Sequence, residues 1–475
     1  MYDRMYNLSE ADFRLIHQSS VRILKETGVL FFDEEAVETF KHHGFRVEGK
    51  IVHFEEEDVQ RALEKAPSKF VLTARDSAKS VTVGGDSFVC APGYGAPFVV
   101  TPEGNRRRAS MEDYDFFCKL IHTSPYIDIN GFLMVEPADV PAAKAHLHML
   151  LSGILLSDKA FMGSPTSREG AHHSLEMAGI VWGSKGSIRN RPVMVSLINS
   201  LSPLKFSEEM AGSLIEFAKH GQPCIVASVI QAGASGPIRI AGLLTLQNAE
   251  VLAGLTLAQL VNPGTPIIYG SASAITDMRT GRLAVGALET SVIISATAQI
   301  ARFYNLPSRA GGALTGANFP DAQAGVESAL TLLTAARNGI SFILHSCGIL
   351  DSFLAMSFEK FLIDEELCGM IRRLLSPVQV NEETVGVAAI NKVGIGGEYL
   401  SHPETLRFCR TEFFQPGLMS RDSYDVWNSS GKKRLDQEAM RLLKERLESY
   451  RKPSMDQDTE RALKKYVAQE LGSVK

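Results

Sequence analysis

The chain of 475 residues contains 49 basic and 54 acidic side chains, which gives a net charge of −5 at pH 7. This mild balance argues against a nucleic-acid surface, because non-specific phosphate binding needs a clear basic excess. Hydrophobic residues make up 45% and charged residues 22%, as in soluble globular proteins, and no apolar run reaches the roughly 18 residues of a membrane span. The six cysteines are scattered and no secretory signal is recognisable, so we expect a cytoplasmic protein with reduced thiols.

Residues 1–125 alternate between short helix and strand patterns. Ser9 and Asp12 form a variant of the capping box ahead of a helical stripe that stops at Gly28. Short strand patterns lie between and after the helices that follow. The segment therefore predicts a small α+β layer that packs on a larger domain, with two further helices over residues 33–43 and 55–66.

The pattern becomes regular over residues 126–375. Apolar strands without polar alternation, as in strands buried on both faces, are separated by stretches of helix length. They cover residues 127–135, 160–163, 192–198, 223–229, 266–271, 308–314 and 341–345. Seven such units predict an α/β fold of the (β/α)8 TIM-barrel type, with the eighth strand within residues 86–100 or after 375. An open doubly wound sheet is the alternative.

Residues 376–475 are more polar and predict a helical extension. Its two clearest helices cover residues 432–450 and 458–471. The first has an amphipathic stripe, which is typical of a packing or subunit-contact element.

Polar groups follow the predicted barrel strands and would surround one mouth, where the active sites of such barrels lie. This mouth is poor in bare charge, which suits a small neutral or internally charged ligand. Arg309 is the exception, because an arginine on a buried strand is hard to explain without an anion. Glu250, among apolar residues of a helix, must likewise be paired, hydrogen-bonded or functional.

A zinc site is a second interpretation of this mouth. His345 and Cys347 have the His-x-Cys spacing of some thiol-activating zinc enzymes, and Cys368 or Cys409 could supply a third ligand. The two ligands would point the same way only if the strand end is regular, and Cys368 falls in a helix pattern. We expect His345 to be a hydrogen-bonding contact to a ligand and no metal to be bound by the chain itself.

Several segments together resemble the trimethylamine methyltransferase superfamily. They are NSLSPL, AGLLTLQNAEVLAGLTLAQLVNPGTPIIYGS, PSRAGGAL, DAQAGVESA and the stretch that ends in HSCGILD. The resemblance covers nearly the whole chain and implies a (β/α) barrel that moves a methyl group from an amine to the cobalt of a corrinoid protein. Members that act on trimethylamine carry pyrrolysine, and this chain has standard residues throughout. It therefore resembles the pyrrolysine-free branch, whose substrates are quaternary amines such as glycine betaine.

The resemblance implies a small corrinoid-binding protein as partner, since the chain shows no DxHxxG motif for a cobalt-ligating histidine. We also expect a homo-oligomer, and the charge and hydropathy described above lead us to expect no nucleic-acid or membrane partner. A quaternary ammonium group calls for aromatic faces and a carboxylate, and a betaine carboxylate calls for donors. The candidates are Tyr94, Tyr269, Phe319, Phe353 and Phe358 for the aromatic cage, Glu250 and Asp321 for the catalytic charge, and Arg309, His345, Asn199 and Gln231 for the carboxylate.

Two rival functions keep the same barrel. One is a zinc-dependent transfer of methyl from a methylcorrinoid to a thiol, and the other is a non-catalytic betaine-binding protein.

Overall fold

The computed structural model describes residues 4–472. Its helices are α1 Glu10–Glu26, α2 Glu34–His42, α3 Glu56–Lys65, α4 Met111–Thr123, α5 Ala142–Leu156, α6 Arg168–Trp182, α7 Glu208–Lys219, α8 Ile240–Val261, α9 Leu288–Phe303, α10 Ala322–Asn338, α11 Phe358–Leu374, α12 Val387–Val393, α13 Pro403–Phe408, α14 Tyr424–Ser429, α15 Leu435–Ser449 and α16 Gln457–Gly472.

The strands form one large sheet and several small ones. They are β1 Val29–Phe31, β2 Arg46–Glu48, β3 Ile51–His53, β4 Lys69–Leu72, β5 Val81–Gly84, β6 Val89–Cys90, β7 Phe98–Val100, β8 Arg106–Arg108, β9 Ile129–Asn130, β10 Ala160–Met162, β11 Met194–Asn199, β12 Lys205–Phe206, β13 Cys224–Ser228, β14 Gln231–Ala232, β15 Ile267–Ser271, β16 Ala274–Thr276, β17 Leu283–Ala284, β18 Ser308–Gly311, β19 Phe342–Leu344, β20 Ile349–Leu350 and β21 Ala355–Met356.

Eight parallel strands form the central barrel. Their order, β6-β19-β18-β15-β13-β11-β10-β9, matches their order along the chain once the two ends are joined. The join is made at β6 and β9, where the Asp128 N–H donates to the Cys90 carbonyl at 2.8 Å and the Cys90 N–H donates to the Asp128 carboxylate at 2.7 Å. The predicted (β/α)8 barrel is confirmed, and the eighth strand is Val89–Cys90.

The three-segment division of the chain stays a prediction. The barrel strand β6 lies within the first segment, residues 1–125, so the amino-terminal layer and the barrel share that stretch of chain.

The amino-terminal layer forms a four-stranded sheet of order β12-β1-β3-β2 with three helices. Ser9 and Asp12 make the predicted capping box at the start of α1. Gly28 ends that turn with φ of +77°, and a Cβ there would lie 2.7 Å from the Val52 carbonyl oxygen, so only glycine fits. β12 comes from the loop after barrel strand β11, and this loop joins the layer to the barrel.

The longest helix, α8, is apolar on every side because it is covered on every side. It packs against β13 and β15 of the barrel and against α1 and α3 of the amino-terminal layer. By length and composition it could cross a membrane, yet 78% of its most apolar stretch is buried within the fold. The helix is therefore a core element between two layers.

The carboxyl-terminal helices brace the outside of the barrel. α15 packs on α4 and α11, and α16 packs on α5 and α6. The amphipathic stripe predicted for residues 432–450 thus faces the protein's own barrel, through the buried side chains Ala439 and Leu443.

Candidate functional site

The carboxyl ends of the barrel strands are covered by two small sheets. A four-stranded sheet, β20-β21-β7-β8, and a three-stranded sheet, β14-β16-β17, are built from the loops that follow the strands. Beneath them lies a narrow pocket that combines a few polar groups with apolar walls. Its lining residues are Ser271, Ala272, Ser273, Ala274, Val285, Thr290, Ile294, Arg309, Gly311, Leu314, His345 and Phe353.

Arg309 extends from β18 into this pocket and is only 1% exposed. One guanidinium nitrogen, Nη1, donates to the Ser271 carbonyl at 2.6 Å, and Nη2 lies 3.4 Å from Nδ1 of His345. Its Nε has no partner, and no carboxylate of residues 4–472 pairs with the guanidinium. Burial lowers the pKa of Arg309 to about 10, so it remains charged at neutral pH. Arg309 is thus a buried cation without its own anion.

His345 stands beside this cation as a neutral imidazole. Because arginine can only donate, Nδ1 accepts from Arg309, and Nε2 carries the proton that faces the Tyr94 carbonyl at 3.3 Å. Burial and the nearby guanidinium hold the pKa of His345 well below its ordinary value. A positive charge on a ligand would therefore meet no imidazolium here.

Tyr94 is an electrostatic neighbour of Arg309 with an unfilled hydroxyl, although its side chain does not line the narrow pocket. Its side chain is 9% exposed, and its hydroxyl has no hydrogen-bond partner among residues 4–472. Burial raises the pKa of this hydroxyl, so it stays protonated and can donate. Buried polar groups are usually satisfied. The free Tyr94 hydroxyl and the free Arg309 Nε therefore both indicate a missing acceptor.

Phe353 forms an aromatic wall of the pocket. Its ring centroid lies 4.6 Å from that of His345, with an interplanar angle of 40°. The turn that carries it, Asp351–Phe353, has three successive non-glycine residues with positive φ, at 50°, 50° and 78°. Such conformations cost about 1–3 kcal/mol each and persist only where the surroundings enforce them.

A pair of arginines fixes this turn from the rim of the mouth. The buried Asp351 carboxylate accepts from Arg106 Nη1 at 2.9 Å and also pairs with Arg282. Both arginines are about half exposed, at 49% and 51%. The mouth is therefore more charged than the strand ends predict, because these arginines come from the covering sheet and its neighbouring loop. Asp351 could not be recognised as a site residue from the sequence, because it is a lone acid after an apolar run.

Glu250, a candidate for the catalytic charge, does not line the pocket. It is fully buried on α8, and its carboxylate accepts from the hydroxyls of Ser200 and Ser202 at 2.5 and 2.8 Å and from the Leu204 N–H at 2.8 Å. These bonds hold the loop that leads to β12. Glu250 is absent from the pocket lining, so it acts on the loop and not on a ligand in this pocket.

Four other candidates also lie away from the pocket lining. The Tyr269 hydroxyl donates to Asn248 of α8 at 3.1 Å, so this side chain faces the helix layer. Phe358 stacks on Phe117 of α4 at 4.5 Å between ring centroids. Asp321 is an exposed N-cap of α10, and Phe319 packs in a small apolar cluster with Phe98 and Val100.

Asn199 is the last residue of β11 and Gln231 is the first residue of β14, and both lie around the mouth but outside the narrow pocket. The Asn199 Oδ1 is buried without a partner. Gln231 is half-buried, and its Nε2 donates to the Gly281 carbonyl at 3.3 Å.

The two ligands of the zinc interpretation point in different directions. His345 has a φ of 57°, which breaks the regular strand, and its ring enters the pocket. The Cys347 thiol instead has Cys90, Asp364 and Glu365 as its electrostatic neighbours, on the helix side of the barrel wall. In the described part of the chain no group of three or more His, Cys, Asp or Glu side chains is placed to hold a metal ion.

Comparisons with known proteins agree with this fold. The profile of the family described as trimethylamine methyltransferase (MTTB) matches residues 1–474. Glycine betaine methyltransferase of Desulfitobacterium hafniense (strain Y51) is 45% identical over 465 residues, which cover 98% of this chain and 97% of the relative. Proline betaine:corrinoid methyltransferase of Eubacterium limosum is 32% identical, with 99% of this chain and 98% of the relative covered.

More distant matches extend the comparison. Trimethylamine methyltransferase MttB of Methanosarcina thermophila is 31% identical over 94% of both chains. Among solved structures, the monomethylamine methyltransferase MtmB of Methanosarcina barkeri superimposes with a TM-score of 0.50 at 12% identity, covering 93% of this chain and 88% of that one. A hydroxylamine complex of MtmB gives 0.51, also at 12% identity, over 100% and 91%. At that identity the structures support the barrel fold alone.

The family match over residues 1–474 and the 45% identity to a methyltransferase establish the family of this chain. This chain belongs to the trimethylamine methyltransferase (MTTB) family and is a methyltransferase.

Proposed function

We propose that this protein transfers a methyl group from a betaine, with glycine betaine as the first candidate, to Co(I) of a separate corrinoid protein. The products are methyl-Co(III) on the partner and a tertiary amine, which is dimethylglycine when glycine betaine is the substrate. The observation that carries the proposal is Arg309, a buried cation in the pocket that has no carboxylate of its own. The names of the two betaine-specific relatives support the same substrate class.

In this proposal Arg309 and Tyr94 bind the substrate carboxylate. The guanidinium Nε and the tyrosine hydroxyl are both buried donors without a partner among residues 4–472. A carboxylate that accepts from both would satisfy them and neutralise the buried charge. Hydrogen bonds to a charged group of this kind contribute about 1.5–3 kcal/mol each.

Phe353 and the neutral His345 suit the other end of the substrate. An aromatic face stabilises a quaternary ammonium group by about 0.5–2 kcal/mol. His345, held neutral by burial and by Arg309, adds no repulsion. The apolar walls formed by Val285, Ile294 and Leu314 exclude water from the methyl groups.

Methyl transfer from a quaternary amine depends on how the substrate is positioned and needs no general acid or base. Co(I) on the partner supplies the nucleophile. The electron pair of the breaking N–CH3 bond stays on nitrogen, which leaves as a neutral amine without needing a proton. Holding the carboxylate at one end therefore aims the methyl groups toward the mouth, and this orientation can account for a large part of the rate. The proposal includes a cytoplasmic location, because the enzyme and the corrinoid protein would have to meet in the same compartment.

The test is an anaerobic assay with the purified protein and its cognate corrinoid protein, or free cob(I)alamin. The visible spectrum is followed while glycine betaine, proline betaine, carnitine, γ-butyrobetaine and trimethylamine are added separately. We expect methylcobalamin with at least one betaine and none with trimethylamine. Methyl transfer from trimethylamine alone, or binding of a betaine without transfer to the cognate partner, would contradict the proposal.

A further inference from the structure

A segment beyond the barrel has almost no core of its own. Residues 376–416, here called the arm, connect α11 to the chain that leads into α15 and contain only the short helices α12 and α13. Of these 41 residues Ala389 alone is buried, six are half-buried and the other 34 are exposed. The two short helices make only slight contact with the helices of the barrel. The arm therefore does not derive its conformation from an apolar core of the single chain.

The arm nevertheless exposes many large apolar side chains, among them Leu400 at 82% and Val378 at 81%. Eleven of the 29 exposed large hydrophobic residues of the described chain lie in it. They are Val378, Val380, Val385, Val387, Ile390, Ile395, Tyr399, Leu400, Leu406, Phe408 and Phe413. Together these side chains present on the order of 1,000 Å² of apolar surface on one segment, which is comparable with the area that one partner of a stable interface buries.

The ends of the arm are fixed to the barrel. Arg373 donates to the Glu412 carbonyl at 2.9 Å. Just past the arm, the Glu366 carboxylate accepts from the N–H groups of Gly417, Leu418 and Met419 at 2.6, 2.6 and 3.0 Å. The arm is thus a projecting loop held at both ends, and not a loose tail.

The arm leaves the barrel at the face opposite the mouth. At the end of α11, Arg372 pairs with Asp128, which immediately precedes barrel strand β9, and its guanidinium lies 4.8 Å from the ring centroid of Phe88, which immediately precedes β6. These contacts mark the amino ends of the barrel strands. A protein that delivers a cofactor to the pocket must approach the other face, so the start of the arm is badly placed for it.

We infer that the arm is an interaction surface for a second copy of this chain. The exclusion of the corrinoid protein as occupant rests on the proposed function, since it assumes delivery at the mouth. Two further features favour a second copy. The arm has five acidic and three basic residues, so it is not adapted to a strongly charged partner. Its apolar exposure is typical of permanent interfaces, whereas transient partners leave their surface to water in each cycle.

The experiment measures the mass of the full chain in solution by sedimentation or light scattering. Wild-type protein should have a mass of at least twice the 51.8 kDa of one chain. The triple variant Val380→Glu, Ile395→Glu and Leu400→Glu should shift to 51.8 kDa, because charges at these positions cannot be buried in an interface. The matched control carries Leu15→Glu, Val71→Glu and Val326→Glu, which are exposed apolar positions elsewhere, and should keep the wild-type mass.

A monomeric wild type, or an arm variant with the wild-type mass, would overturn the inference. Hydrogen exchange covers the case in which the variant aggregates. Arm amides of the wild type should be protected from exchange, although Ala389 is the only arm residue that is buried within one chain. Protection that arises only when the corrinoid protein is added would assign the arm to that partner and overturn the inference. No substrate or turnover enters either measurement, so failure of the proposed function would be seen separately.

Discussion

Two buried cations of this protein, Arg309 and Lys360, are each 1% exposed, yet their surroundings differ completely. The Lys360 ammonium on α11 lies 2.5 Å from both carboxylate oxygens of Asp364 and 2.8 Å from the Ser328 hydroxyl. Arg309 has a backbone carbonyl, a neutral imidazole and an unfilled Nε. Lys360, with its own anion, belongs to the fold, whereas we propose that Arg309, which has no carboxylate partner among the described residues, binds the anionic group of a ligand.

The largest effect should come from breaking the structural pair. Lys360→Met leaves the Asp364 carboxylate buried without its cation, which typically costs about 3–5 kcal/mol. Burial already raises the pKa of Asp364 to about 6 in the presence of Lys360. We expect the free energy of unfolding, measured with denaturant, to fall by this amount, while the KM of the surviving folded enzyme stays at the wild-type value.

A double variant controls this prediction. Lys360→Met with Asp364→Leu removes both charges and should recover a large part of the lost stability. If the single variant is as stable as the wild type, Lys360 does not have the structural role assigned to it.

The opposite pattern is expected at Arg309. Arg309→Met removes the proposed carboxylate ligand but leaves no carboxylate of the chain unpaired, so stability should fall by less than about 1 kcal/mol or rise. The KM for glycine betaine should increase by roughly 100-fold, as is typical when one partner of a buried charge pair is lost. Steady-state kinetics beside a denaturation curve gives both numbers. An unchanged KM would remove Arg309 from the site.

Glu250 tests whether a buried acid belongs to the fold or to the chemistry. Glu250→Gln replaces one acceptor oxygen by an amide that faces hydroxyl donors, so we expect a loss of about 1–3 kcal/mol in stability. The KM for betaine should change less than threefold, because Glu250 holds the Ser200–Leu204 loop and does not line the pocket. A loss of turnover in a fully stable variant would restore the predicted catalytic role.

A smaller effect is expected at the rim. Asp351→Asn keeps a residue that tolerates positive φ but removes the charge that pairs with Arg106 and Arg282. Phe353 should then hold its place over His345 less firmly, and kcat/KM should fall about five-fold, mainly through KM. Asp351→Ala should fall further, since alanine also disfavours the left-handed turn. Equal kinetics for all three proteins would mean that the turn does not position Phe353.

The smallest expected effect is a flat pH profile. Burial and Arg309 hold the pKa of His345 well below its ordinary value of 6.5, so the imidazole is neutral from pH 6.5 to 8.5. Affinity for a betaine, measured by calorimetry, should therefore not change across this range. A transition near pH 6.5 to 7 that disappears in His345→Gln would show that the imidazole titrates in the site.

Much of the barrel follows from the sequence because its strands are apolar on both faces and its helices have clear ends. The helix-length stretch between the predicted strands 223–229 and 266–271 contains α8, Ile240–Val261. Strand β6 has only two residues next to a glycine- and proline-containing loop, so its pattern was too short to place the eighth strand uniquely.

The site followed from the sequence only in part. Arg309 stood out because an isolated charge on a buried strand needs an anion. Tyr269 could not be oriented, since a strand buried on both faces has no polar alternation to tell its inner face from its outer face. Glu250 was rightly identified as needing partners, but its hydroxyl donors lie about 50 positions away in the sequence, at Ser200 and Ser202.

The most direct test of the central claim compares glycine betaine with choline, which has the same trimethylammonium head but no carboxylate. Binding of both compounds is measured by calorimetry for the wild type and for Arg309→Met. If Arg309 binds the substrate's carboxylate, the wild type should bind glycine betaine roughly 100-fold more tightly than choline. The variant should bind the two compounds with similar affinity. A variant that still discriminates between the two compounds as the wild type does would contradict the account.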